Sequence, residues 1–80
     1  MNPITIQYFA IFREQAGRSS ESYAGAAATP GELYRELARR HGFTLPLEQV
    51  RVAVGTDYIS MDTPLKAGLD ITFIPPVAGG

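Results

Sequence analysis

The chain has 80 residues, 45% of them apolar and 19% charged, with a formal net charge of -1. That length holds one hydrophobic core. The composition is that of a folded domain, and the near-neutral charge disfavours nucleic-acid binding through bulk electrostatics. With no cysteine and a single histidine, there is no disulfide framework, no thiol nucleophile and too few ligands for a zinc site. No apolar run approaches the roughly 18 residues of a membrane-spanning helix, and the opening residues lack the pattern of a secretory signal. A cytoplasmic location is expected, with neither membrane nor nucleic acid as partner. An independent enzyme would need a nucleophile, a base and an enclosed pocket, which a domain this small is poorly equipped to hold. A carrier, a binding module or a subunit is expected instead.

From Ile4 to Phe12 the residues alternate and then turn almost continuously apolar, which predicts a strand. The polar stretch from Arg13 to Ser20, with Gly17, predicts a loop. A short strand over residues 21–24 would then close an antiparallel hairpin on the first. Thr29, Pro30 and Glu32 stand where an N-cap, N1 and N3 residue would, and predict a capping box at the start of a helix. Leu33, Tyr34, Leu37, Ala38 and His41 recur at helical spacing and form one helical face, with Leu33 and Leu37 expected against the sheet. Arg39, Arg40 and His41 occupy the last turn, where the helix dipole favours cations, and Gly42 is the expected stop. Phe43 to Gln49 reads as a connection, Val50 to Val54 as a strand, and Tyr58-Ile59 as a short edge strand after the turn at Gly55. Asp62 to Gly68 reads as a loop, and Ile71 to Ile74 as the last strand. Strand pairs on one helix predict an α+β fold, a sheet of about four to five strands packed on a single main helix.

The last six residues carry the strongest functional signal. Pro75 and Pro76 donate no backbone hydrogen bond, so they end sheet pairing and favour an extended stem. Val77, Ala78, Gly79 and Gly80 follow. Six extended residues reach at most about 20 Å, and a glycine pair passes through a channel too narrow for other residues. The expected division is a domain over residues 1–74 and a tail over residues 75–80. An uncrowded carboxylate on Gly80, once activated as an acyl adenylate, is open to attack by sulfur or an amine.

Together with Tyr8-Phe9-Ala10-Ile11-Phe12-Arg13-Glu14, the capped helix from Thr29, Ser60-Met61-Asp62-Thr63-Pro64-Leu65 and Gly68-Leu69-Asp70, this ending resembles the sulfur-carrier small subunits of molybdopterin synthase, within the ubiquitin-like β-grasp group. The ending Phe73-Ile74-Pro75-Pro76-Val77-Ala78-Gly79-Gly80 is the most specific part. Gly55 and Ile74 depart from the Asn and Phe frequent at those positions in the family. The resemblance implies a mixed β-grasp sheet and a chain that is no enzyme by itself. It implies that Gly80 is adenylated by an ATP-consuming, ubiquitin-activating-like adenylyltransferase. A sulfur donor enzyme then converts it to a thiocarboxylate, which delivers sulfur to the pterin precursor inside a heterotetramer with the large synthase subunit. No cofactor is implied to remain bound. Gly79 gives the tail access to the partner's channel. Phe9, Tyr58, Ile74, Pro75, Pro76, Val77 and Ala78 are the expected partner contacts, against the plainer alternative that the first three pack in the core. Sulfur carriers for thiazole or amino-acid synthesis, a ubiquitin-like protein modifier and an inert-tailed interaction domain stay open as alternatives.

Overall fold

The computed structural model describes residues 3–76. Strand β1 (Ile4–Tyr8) leads into a short helix α1 (Ile11–Ala16) and strand β2 (Ser20–Tyr23), followed by the main helix α2 (Pro30–His41). A 3₁₀ turn (Leu47–Gln49) precedes strands β3 (Arg51–Val54), β4 (Asp57–Ile59) and β5 (Asp70–Ile74). The sheet order is β2-β1-β5-β3-β4. Strands β1 and β5 pair in parallel, Ile6 beside Ile71 and Tyr8 beside Phe73, and the remaining pairs are antiparallel. The two strands nearest the chain ends therefore form the centre of a mixed sheet, as their apolar content requires.

Period-two alternation sends Ile4, Ile6, Tyr8, Val52, Ile71 and Phe73 into the core, where they join Leu33, Tyr34 and Leu37 of α2. Leu33 and Leu37 are completely buried. The helix starts as expected at Thr29, whose hydroxyl accepts from the Glu32 amide at 3.2 Å, and ends at Gly42 in the left-handed conformation. The reciprocal half of the capping box is displaced by one residue. Glu32 accepts from the Ala28 amide at 2.9 Å rather than from Thr29, so its carboxylate ties down the approach to the helix.

Three expectations are corrected. The first strand stops at Tyr8 instead of running to Phe12, and residues 11–16 of the expected strand and loop form α1. Phe12 is fully buried because it sits between Tyr34 and Phe43, with ring centroids 5.8 and 5.1 Å away. Its apolar neighbours are therefore helical, not sheet, residues, a distinction that a short apolar run does not carry. The link from β1 to β2 is consequently a helical insertion and not a simple hairpin turn. Finally, the connection after α2 includes the 3₁₀ turn, and Phe43 within it is a core residue. Tyr34 anchors that connection by donating to the Leu45 carbonyl at 2.6 Å.

Candidate functional site: the root of the tail

Strand β5 is the central strand that delivers the chain to Pro75. Its last residue, Ile74, pairs with Arg51 on β3, and Ala53 is flanked by Thr72 on one side and Tyr58 on the other. Since residues 72 and 74 share one face of β5, and 51 and 53 one face of β3, this register gathers Ile74, Arg51 and Tyr58 on the sheet face opposite α2. Ala53 is buried on that face, so the centre is low and its flanks stand up. The outcome is an open groove of about 530 Å³ lined by Gln49, Arg51, Tyr58, Ile74, Pro75 and Pro76, with Glu48 at its rim. Pro75 and Pro76, the two residues after β5, lie in this groove.

Tyr58 is 68% exposed and Phe9 58%; no other large apolar residues stand so far out among the described residues. Ile74 is half-buried. Phe9 does not line the groove, but it follows Tyr8 as Ile74 follows Phe73, which puts it at the same end of the central strand pair. Four of the expected contact residues thus converge: Tyr58, Ile74, Pro75 and Pro76 share one groove, with Phe9 at the neighbouring strand end. Val77, Ala78, Gly79 and Gly80 lie outside the described residues. Sequence reasoning missed Arg51 and Gln49. The exposed alternation of β3 marks Arg51 as a surface residue, but its place opposite Ile74 depends on long-range register.

Beneath the site, aromatic packing makes a firm base. Phe73 lies 5.4 Å from Tyr34, and Tyr8 5.8 Å from Phe43, measured between ring centroids, within the range of favourable aromatic pairs. Tyr8 is also held by Glu21 on β2. The Glu21 side chain is only 6% exposed; it accepts from the Tyr8 hydroxyl, lies 2.6 Å from His41 Nε2, and pairs with Arg40 at 3.3 Å and Arg18 at 3.6 Å. Burial alone would raise the Glu21 pKa. The hydrogen bonds from Tyr8 and His41, with the positive charges of His41 and Arg40, outweigh it and hold the carboxyl below its usual range. The Tyr8 phenol is pushed strongly upward, first by burial and then by that same carboxylate. His41 and Arg40 are thus tied into an ion cluster as well as ending a helix. Arg13 and Glu14 are exposed on α1, as is Arg39 on α2. Asp70 pairs with Thr5 at the start of β5, and the Asp62 amide donates to Ser60 Oγ at 3.1 Å. Among the described residues no group of three His, Asp or Glu stands close enough to hold a metal ion, and no helix is long and apolar enough to cross a membrane.

The ThiS family pattern matches residues 6–80. The chain belongs to the ThiS family. It is 32% identical over 80 residues to the molybdopterin synthase sulfur carrier subunit of Escherichia coli, covering 96% of this chain and 99% of that protein. Among solved structures it is similar to a putative molybdopterin converting factor subunit 1 from Pyrococcus furiosus, with 30% identity, a TM-score of 0.76, and coverage of 96% of this chain and all of that one. It also matches a chain in the complex of subunits 1 and 2 of the molybdopterin-converting factor from Helicobacter pylori, at 25% identity and a TM-score of 0.64, covering 98% of this chain and 99% of that chain. The mixed five-stranded sheet clasping α2 is accordingly the ubiquitin-like β-grasp expected from the sequence. The chain is a homologue of a small sulfur-carrier subunit, and a homologue of this size is found in complex with a second subunit.

Proposed function

We propose that this ThiS-family protein is the sulfur-carrier subunit of a molybdopterin synthase and acts in the cytoplasm without catalysing a reaction by itself. The observation that carries the reading is the match of 96% of the chain with 99% of the Escherichia coli sulfur carrier. The placement of Pro75 and Pro76 at the edge of an exposed groove supports it. In this reading an adenylyltransferase uses ATP to convert the Gly80 carboxylate to an acyl adenylate with release of pyrophosphate. A sulfide-level sulfur nucleophile supplied by a donor enzyme displaces AMP. The resulting thiocarboxylate sulfur then bonds to the pterin precursor in the large subunit while water cleaves the acyl–sulfur bond and restores the Gly80 carboxylate, two such transfers making the dithiolene.

The division of labour has a physical basis. A thiocarboxylate must be kept from water and brought close to its acceptor, and insertion of the tail into a partner channel does both. Gly79 and Gly80 are narrow enough to enter, while the stiff Pro75-Pro76 stem lowers the ordering cost of insertion. Phe9, Tyr58 and Ile74, with Pro75 to Ala78, form the docking surface for the large subunit. Two small and two large subunits complete the assembly.

The test is the intact mass of the chain after incubation with ATP, a competent activating enzyme and a sulfur donor. Exchange of one oxygen for sulfur is expected on the C-terminal peptide. Localisation is needed because oxidation of Met1 or Met61 changes the mass almost equally. An unmodified tail, with the activating enzyme shown to charge its own carrier, would overturn the reading.

A further inference from the structure

Ala10 is the one non-glycine with a positive φ among the described residues. Its angles, φ 53° and ψ -121°, are those of the first central position of a type II′ turn, a conformation that glycine adopts freely and an L-residue does not. The turn is closed by the Phe12 amide, which donates to the Phe9 carbonyl at 3.1 Å. Such a conformation persists only where the surroundings over-determine it, and here both flanks are pinned. On one side the Tyr8 amide donates to the Ser19 carbonyl at 2.8 Å, the Tyr8 side chain is bonded to Glu21, and Tyr8 is in register with Phe73. On the other, Phe12 is fully buried against Tyr34 and Phe43, and the Ala10 carbonyl accepts from the Glu14 amide at 3.2 Å. Between these anchors stands Phe9, 58% exposed beside the root of the tail.

We propose that Ala10 is a positioning residue: its strained turn holds the Phe9 ring out of the core, pre-set for docking to the large subunit. The inference rests on the docking role given to Phe9 above. The Cβ of Ala10 narrows the conformations open to the turn, so the Phe9 ring is ordered before binding and less ordering remains to be done on association. Glycine would remove the strain together with the restriction. A D-alanine would remove the strain and keep the restriction, because positive φ is its favoured region.

The test compares Ala10→Gly, Ala10→D-Ala (made by chemical synthesis and ligation of the full chain) and Phe9→Ala, measuring thermal midpoint and Kd for the purified large subunit. Ala10→D-Ala is expected to raise the midpoint by a few degrees, on the order of 4 °C, and to bind at least as tightly as the natural chain. Ala10→Gly is expected to stay folded yet bind about threefold more weakly, and Phe9→Ala about tenfold more weakly. Unchanged binding by Ala10→Gly, with Phe9→Ala weakened, would overturn the positioning role alone. So would a D-alanine chain that is no more stable than the natural one, or that binds as poorly as the glycine variant. A Phe9→Ala chain that binds at full strength would overturn the docking role of Phe9 and the inference with it.

Discussion

The Tyr8 hydroxyl donates to the Glu21 carboxylate and so ties β1 to the outer strand β2. The same carboxylate reaches His41 and Arg40 at the end of α2, so one carboxylate joins β1, β2 and α2. A carboxyl held below its usual range by the fold stabilises the protein above the unfolded-state pKa, and that contribution disappears as pH falls through the folded value. A phenol raised by the fold acts in the opposite sense: its contribution is complete below the usual value of 10.0 and is lost as pH rises beyond it. Urea midpoints are therefore expected to fall both below the ordinary carboxylate value of 4.5 and above pH 10.0. Glu21→Gln should cost about 2 kcal/mol at neutral pH and flatten the acid limb. An acid limb of unchanged steepness in that variant would remove Glu21 as its origin.

Leu37 stands at the centre of the buried face of α2 and is wholly enclosed. Truncation there removes apolar contacts and leaves a cavity. Leu37→Ala is expected to destabilise the fold by roughly 2–5 kcal/mol, read from chemical denaturation with an unchanged slope. A nearly neutral result would contradict the packing described for the sheet and helix.

Gly25 leaves room for the Tyr23 ring. A Cβ at residue 25 would collide with the Tyr23 hydroxyl oxygen. That hydroxyl is not free to move away, for it donates to Glu36 at 2.8 Å and accepts from the Ala27 amide at 3.0 Å. Gly25→Ala should thus destabilise by about 1–3 kcal/mol through overpacking. The ring carbons Cζ and Cε1 of Tyr23 would also lie too close, at 2.6 and 2.9 Å. The companion change Tyr23→Ala, which removes the whole clashing ring, should therefore make the alanine at residue 25 less harmful; additive effects of the two substitutions would refute the proposed clash.

Gly79→Val should block sulfur transfer while leaving the thermal midpoint within about a degree of the natural chain, because the core described for residues 3–76 is complete without residue 79. The bulk is placed on a glycine proposed to enter the partner channel. A single-turnover assay with pre-charged protein separates transfer from charging. Transfer at the natural rate would defeat the channel argument.

Much of this protein is legible in the residue order because local signals have local causes. The Thr29 cap, the Leu33–Leu37 face and the Gly42 stop follow from hydrogen bonding and helical spacing within a few residues, and all three stand in the structure. The Pro-Pro-Val-Ala-Gly-Gly ending is likewise a contiguous signal, and it pointed to the family to which the chain belongs. What tertiary structure alone decided depends on residues distant in the chain. Ile11 and Phe12 look like strand until Tyr34 and Phe43 enclose the Phe12 ring. Arg51 meets Ile74 only through β3–β5 register. Glu21 looks like an ordinary polar residue of a short strand, yet Tyr8, Arg40 and His41 converge on it. Ala10 carries no mark of its type II′ turn, because alanine favours other conformations and accepts this one only where Tyr8 and Phe12 are both anchored. Spacing along the chain determines which residues form a helix or a strand. Contacts across the fold determine which of them share a charge, a groove or a strain.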